Sequence, residues 1–164
     1  MNFRSPETAI TIFIAFIIAT TIHECMHAWT AWRLGDDTAQ RLGRITLNPV
    51  MHFDPLGLFG MLMISLGLPF IGWGKPVPVN PNSFKGDVRG RQNRMALVAL
   101  AGPLSNVAQA LVVGIPLQLA NWAGQDLGRL EFYLSWFVWV NVALAAFNMI
   151  PFPPLDGSKI LTAI

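Results

Sequence analysis

The chain has 164 residues, 53% of them hydrophobic and 12% Asp, Glu, Lys or Arg, with a net charge of +2. Soluble domains carry about 25% charged residues, so this low share and the positive mean hydropathy point to one membrane-embedded domain. No basic face interleaved with aromatics is present, which argues against nucleic-acid binding, and the single Cys25 excludes an intrachain disulfide or a cysteine-based zinc site.

In chain order, the first apolar stretch covers residues 7–34. Pro6 and Glu7 suit a helix start, and Gly35-Asp36-Asp37 suits its end. It exceeds the ~20 residues that span a bilayer. No small-residue cleavage site follows the run Ala9–Thr20, so it reads as a permanent helix and not a removable signal. A polar connection follows, in which Arg41–Leu47 is expected to form a short strand or hairpin arm before Asn48-Pro49. Residues 55–73 are apolar but broken by Gly57, Gly60, Gly67, Pro69 and Gly72, which predicts a broken or re-entrant segment shielded by protein or facing a wet cavity. Residues 76–81, Pro-Val-Pro-Val-Asn-Pro, must be extended. Spanning helices are expected over 92–122, opened or kinked at Gly102-Pro103, and over 130–149. A closing segment, 151–164, carries Pro151, Pro153, Pro154 and Asp156-Gly157 before another helix begins. The fold class expected is thus an all-α integral membrane protein with about three spanning helices, a broken segment and a short hairpin.

Eight of the 11 Lys and Arg residues lie between the first spanning helix and the one near Gln92: Arg33, Arg41, Arg44, Lys75, Lys85, Arg89, Arg91 and Arg94. If 55–73 is re-entrant, all eight share one side, which the positive-inside rule makes the cytoplasm. The first helix then starts outside, and Asp156 returns to the cytoplasmic side.

The chemistry is concentrated in His23-Glu24-Cys25-Met26-His27. On a helix His23 and His27 fall about 40° apart on one face, where they can share a zinc ion. Glu24, about 100° from His23, is poorly placed as a ligand but can reach a water on that ion and serve as catalytic base. A catalytic zinc usually takes three protein ligands and a water. Among the remaining candidates, which include Asp36, His52, Asp54 and Asp87, the best is Asp156, because it follows a proline-rich break at the end of a spanning helix. Asn106 and Asn148, polar residues beside the breaks in apolar helices, are candidate oxyanion or substrate-positioning donors; interhelical hydrogen bonding is the plainer role for both. His52 and Asp54 read as a structural pair at a helix entry. The segments 55–73 and 76–81 are candidate gate elements.

These blocks, taken together and in order, resemble the site-2 proteases, peptidase family M50. The helix His23–His27 resembles the HExxH helix of that family; Gly43–Pro49 with His52-Phe53-Asp54-Pro55 resembles the segment after it; Gly72–Val79 resembles its proline-rich loop; Gly102-Pro103-Leu104-Ser105-Asn106 resembles its GPxxN helix; and Asn148 through Leu155-Asp156-Gly157 resembles its closing LDG motif. The resemblance implies one zinc ion on His23, His27 and Asp156, Glu24 as base, and Asn106 and Asn148 near the site. It implies a transmembrane protein substrate, a lipid bilayer as surroundings, and a multi-pass location in a bacterial or archaeal cell membrane. Relatives continue through a further helix where this chain stops at Ile164, and there is no room for a PDZ or CBS domain, so the compact, core-only type is expected. The competing readings are a non-catalytic zinc-binding scaffold, disfavoured by the intact Glu24, and a metal transporter, disfavoured because only one ligand cluster is visible.

Overall fold

A computed structural model describes residues 5–161; the last three residues of the closing segment lie outside the described residues. The elements are α1 (Pro6–Arg33), α2 (Thr38–Arg41), α3 (Pro55–Ser65), α4 (Val88–Trp122), α5 (Arg129–Asn148) and α6 (Asp156–Leu161), with single 3-10 turns at Pro49–Met51 and Pro81–Ser83. The all-α membrane class expected from the sequence is the class found. Three helices, α1, α4 and α5, are long and apolar enough to cross a membrane.

Local chemistry sets the helix starts. Ser5 caps α1 by accepting the Thr8 backbone N–H at 3.1 Å, with Pro6 in the first turn. α4 begins at Val88, four residues before the expected Gln92, because Asp87 accepts the Gly90 N–H at 2.8 Å and starts the helix within the basic segment. α1 packs against both α4 and α5. Its buried face is made largely of small residues, Ala15, Ala19, Ala28 and Ala31 among them. Small side chains let membrane helices approach closely where no hydrophobic drive operates between them. One core cluster joins Ile12, Ala15 and Ala19 of α1 to Trp136 and Val140 of α5; another joins Ala31, Phe84 and Val98.

Two connections depart from or sharpen expectation. The short strand or hairpin expected over Arg41–Leu47 does not form: no strand is present among the described residues, and 42–48 is turn and coil. Gly43 takes a left-handed φ of +67°, and the Gly43 and Arg44 N–H groups turn back to the Gln40 and Ala39 carbonyls, both at 2.9 Å, so the backbone here is used in a local turn and not in a ladder. The glycine-broken segment is a hairpin of a different kind, one helical arm and one extended arm. α3 rises about 16 Å, half the hydrocarbon thickness of ~30 Å, and the chain then returns along it. Gly60 meets the backbone of Ile71, Gly57 meets that of Trp73, and the Lys75 N–H reaches the His52 carbonyl at 2.7 Å. A Cβ at Gly57 or Gly60 would collide with those carbonyls. The glycines that look like helix breakers therefore form the face on which the returning strap, residues 69–80, lies. Both arms start and end at the same end of the molecule.

Candidate metal centre

α1 brings His23, Glu24 and His27 to the interior, all nearly buried. The break after α5 folds back through the turn that ends at Asp156, whose side chain is also buried; a Cβ on Gly157 would stand 2.6 Å from the Ile150 carbonyl, so only glycine lets the start of α6 seat against the end of α5. The result is a cluster in which His23 Nε2, His27 Nε2 and Asp156 Oδ2 lie within 3.0–3.2 Å of one another. Among the described residues it is the one group of three or more His, Cys, Asp or Glu arranged to hold a metal ion.

The tautomers make the fit specific. His23 Nδ1 lies 2.6 Å from Asn106 Oδ1 and His27 Nδ1 lies 2.7 Å from the Val98 carbonyl. Both partners are acceptors, so both Nδ1 atoms carry the hydrogen and a neutral ring leaves its lone pair on Nε2. Two imidazole lone pairs and a carboxylate oxygen then converge with no proton among them, an arrangement that a cation relieves. The spacings are close to the edge of about 3.3 Å expected of a tetrahedral zinc site with bonds near 2.0–2.1 Å. Gly102 of α4 completes the cradle: a Cβ there would lie 2.5 Å from His23 Nε2 and closer still to His27 Nε2. Pro103 gives the Ala99 carbonyl no helical donor, and the adjacent Val98 carbonyl is the one turned to His27. Lys159 Nζ lies 3.3 Å from Asp156 Oδ1, leaving Oδ2 to the imidazoles.

Glu24 faces the same cavity, of about 170 Å³, and is not one of the three converging groups; no hydrogen bond to its carboxylate is present among the described residues, and Gly74 of the strap sits over it, its missing Cβ 2.7 Å from Oε1. The two asparagine candidates separate. Asn148 lines the cavity and gives one amide hydrogen to the Leu144 carbonyl at 3.0 Å. Asn106 is fully buried and does not line it; its amide nitrogen points to Asn141 Oδ1 at 2.9 Å and the Ala19 carbonyl at 3.4 Å. The expectation of an oxyanion donor thus finds no free N–H at Asn106, which faces a histidine ring instead.

The strap is clamped from several directions. Arg44 donates to the Lys75 carbonyl at 2.5 Å and the Pro76 carbonyl at 3.3 Å. Asp54, the cap of α3, also accepts the Trp73 indole N–H at 2.8 Å, and buried Asp36 accepts the Asn80 N–H at 2.6 Å. Burial pushes the Arg44 guanidinium and the His52 imidazole below their ordinary values, whereas the Gly57 N–H, with the Trp73 indole, pulls the Asp54 carboxyl down. His52 Nε2 lies 2.8 Å from the Thr46 carbonyl and so donates; this pair and Asp54 hold the hairpin entry, the structural role expected. Sequence reasoning singled out neither Arg44 nor Asn141 for the site. Asn141 carries the same signal that marked Asn106 and Asn148, an amide in an apolar helix.

Removing the Arg44 clamp gives a direct prediction. Arg44→Gln loses a charged donor worth about 2 kcal/mol, so amide exchange over 72–79 should quicken by about 30-fold while zinc content stays at the wild-type value. Hydrogen-exchange mass spectrometry checks it, and unchanged exchange would mean that the glycine contacts alone hold the strap.

The model of Peptidase family M50 matches residues 109–164. YwhC of Bacillus subtilis, which carries a provisional zinc-metalloprotease name, is 37% identical over 95% of this chain and 68% of its own length. MJ0611 of Methanocaldococcus jannaschii, named likewise, is 31% identical over 97% of this chain and 75% of its own. Rip2 of Mycolicibacterium smegmatis, again a provisional zinc metalloprotease, is 29% identical, and the chain spans 54% of that relative's length. No solved structure matches the chain significantly. With three helices long and apolar enough to cross a membrane and these relatives, the chain is a membrane protein that belongs to peptidase family M50.

Proposed function

We propose that the chain is a single peptidase core, an intramembrane metalloprotease that holds one zinc ion and hydrolyses peptide bonds in or near transmembrane segments of other proteins. The observation that carries this reading is the convergence of three proton-free ligand atoms, His23 Nε2, His27 Nε2 and Asp156 Oδ2, beside a carboxylate that is not part of the cluster. Zinc bound there would polarise a scissile carbonyl and lower the pKa of a water to about 7.

The chain's own residues supply the rest. Glu24, with no hydrogen bond to its carboxylate among the described residues, takes a proton from the attacking water and returns it to the leaving amine nitrogen. Asn148, with one amide hydrogen committed to its own helix, has a second for the substrate backbone. The strap forms one wall of the cavity through Trp73, Gly74, Pro76 and Val77, next to the base. The return of the α3–strap hairpin to its starting end supports reading the eight basic residues from Arg33 to Arg94 as sharing one side, which the positive-inside rule would assign to the cytoplasm.

The test is metal analysis of the purified protein together with cleavage of a co-expressed single-span substrate. The expected result is one zinc per chain and cleavage that stops with a chelator. Protein that folds but takes up no zinc, or cleavage indifferent to chelation, would reject the reading.

A further inference from the structure

We propose that Asn141, on α5, is a positioning residue that sets which nitrogen of His23 is free for the metal. The inference rests on the zinc reading above but concerns a residue outside the ligand cluster and the cavity. Asn141 and Asn106 are both 0% exposed, so each amide must find its partners inside the protein. The partners form a one-way chain. Asn141 Nδ2 lies 3.0 Å from the Phe137 carbonyl, a group that only accepts, so Asn141 must turn its Oδ1 the other way. That oxygen lies 2.9 Å from Asn106 Nδ2. Asn106 in turn presents Oδ1 to His23 Nδ1 at 2.6 Å, which fixes the hydrogen on Nδ1 and the lone pair on Nε2.

The direction of the whole relay is therefore set at a backbone carbonyl of α5, three groups from the metal cluster. Among the described residues its one other anchor is the Ala19 carbonyl, 3.4 Å from Asn106 Nδ2, at the long limit of a hydrogen bond. Without Asn141 Oδ1, the Asn106 amide can turn over and offer its NH2 to His23 Nδ1. The imidazole would then carry its hydrogen on Nε2, where it competes with the metal. His27 has no such weakness, because its partner is the Val98 backbone, which cannot turn over. Groups that orient metal-binding histidines typically contribute 10–100-fold in metal affinity; one link further out, the lower end applies.

The experiment uses the full chain in detergent micelles, labelled with 15N-histidine, zinc-free, at an alkaline pH chosen so that the nitrogen shifts themselves show neutral rings. Nitrogen shifts report the tautomer of each of the three histidines. The wild type is expected to show His23 as the Nδ1–H form. Asn141→Leu removes both polar contacts. Asn141→Ser keeps a hydroxyl for its own helix but is too short for Asn106, and it carries the test if the leucine variant does not fold. Both should shift His23 toward Nε2–H and weaken zinc binding about tenfold in chelator competition, with His27 unchanged. Asn141→Asp keeps an oxygen facing Asn106 whether or not it is ionised, and should restore the Nδ1–H form. Folded leucine or serine variants with the wild-type tautomer and wild-type zinc affinity would overturn the proposal and reduce Asn141 to interhelical packing. If the wild type binds no zinc, the metal reading fails, while the tautomer shifts still decide the relay.

Discussion

Replacing Glu24 by Gln should lower cleavage of a transmembrane substrate by about 10²–10⁴-fold and leave the zinc content unchanged. The two halves of this expectation come from different atoms. The atoms proposed to bind the metal belong to His23, His27 and Asp156, and their mutual distances of 3.0–3.2 Å owe nothing to Glu24. Glutamine has nearly the same shape, so the close approach of Gly74 to that side chain is kept. What disappears is the ability to accept a proton at Oε and return it to the leaving nitrogen, a loss of about 3–5 kcal/mol in barrier terms. Cleavage in reconstituted vesicles and metal analysis on the same preparation check both halves. Retained cleavage would remove Glu24 from the mechanism. Loss of zinc with loss of cleavage would show that the carboxylate helps to hold the metal. A scaffold that merely binds zinc would lose no measured property in this variant, so the same experiment separates enzyme from scaffold.

How much of this was legible beforehand depends on the range over which each feature is determined. His23, Glu24 and His27 are related by one helix, and 3.6-residue periodicity fixes their relative directions. Asp156 was legible by position, because it follows a proline-rich break at the end of a spanning helix, and the fold brings its Oδ2 within 3.2 Å of both imidazoles. The asparagines show where such reasoning stops. That an amide in an apolar helix needs a partner is a local fact; that Asn106 faces His23 and Asn141, while Asn148 faces the cavity, depends on the rotation of α4 and α5 against α1. The glycines of α3 were read as interruptions from composition. Gly57 and Gly60 sit three residues apart on one face, and their use as a contact surface becomes visible only once residues 71–73 lie on them. The missing strand at Arg41–Leu47 is local in origin, since the Gly43 and Arg44 N–H groups bond back to Gln40 and Ala39, whereas the reach of the Arg44 side chain to Lys75 and Pro76, more than thirty residues away, is again a matter of tertiary placement.

The strongest demand of the site on a non-ligand position falls on Gly102, and Gly102→Ala should weaken zinc binding severely without unfolding α4. Alanine is the better helix former by roughly 1 kcal/mol, and Gly102 is an interior residue of a 35-residue helix, so the backbone has no objection to the change. The objection comes from across the interface: the new methyl would stand 2.5 Å from His23 Nε2 and against His27 Nε2, in the space those lone pairs share with Asp156. To make room the rings must turn, which breaks the bonds from His23 Nδ1 to Asn106 and from His27 Nδ1 to the Val98 carbonyl. Zinc affinity is expected to fall by about 100-fold or more and cleavage to become undetectable. Gly114→Ala in the same helix is the control, because its Cβ would meet Val138 at 3.5 Å, an ordinary contact; it should bind zinc and cleave as the wild type does. Chelator competition on the two variants, with circular dichroism to confirm that helix content is kept, decides the matter. A Gly102→Ala protein that retains stoichiometric zinc at wild-type affinity would mean that the metal does not sit between His23, His27 and Asp156.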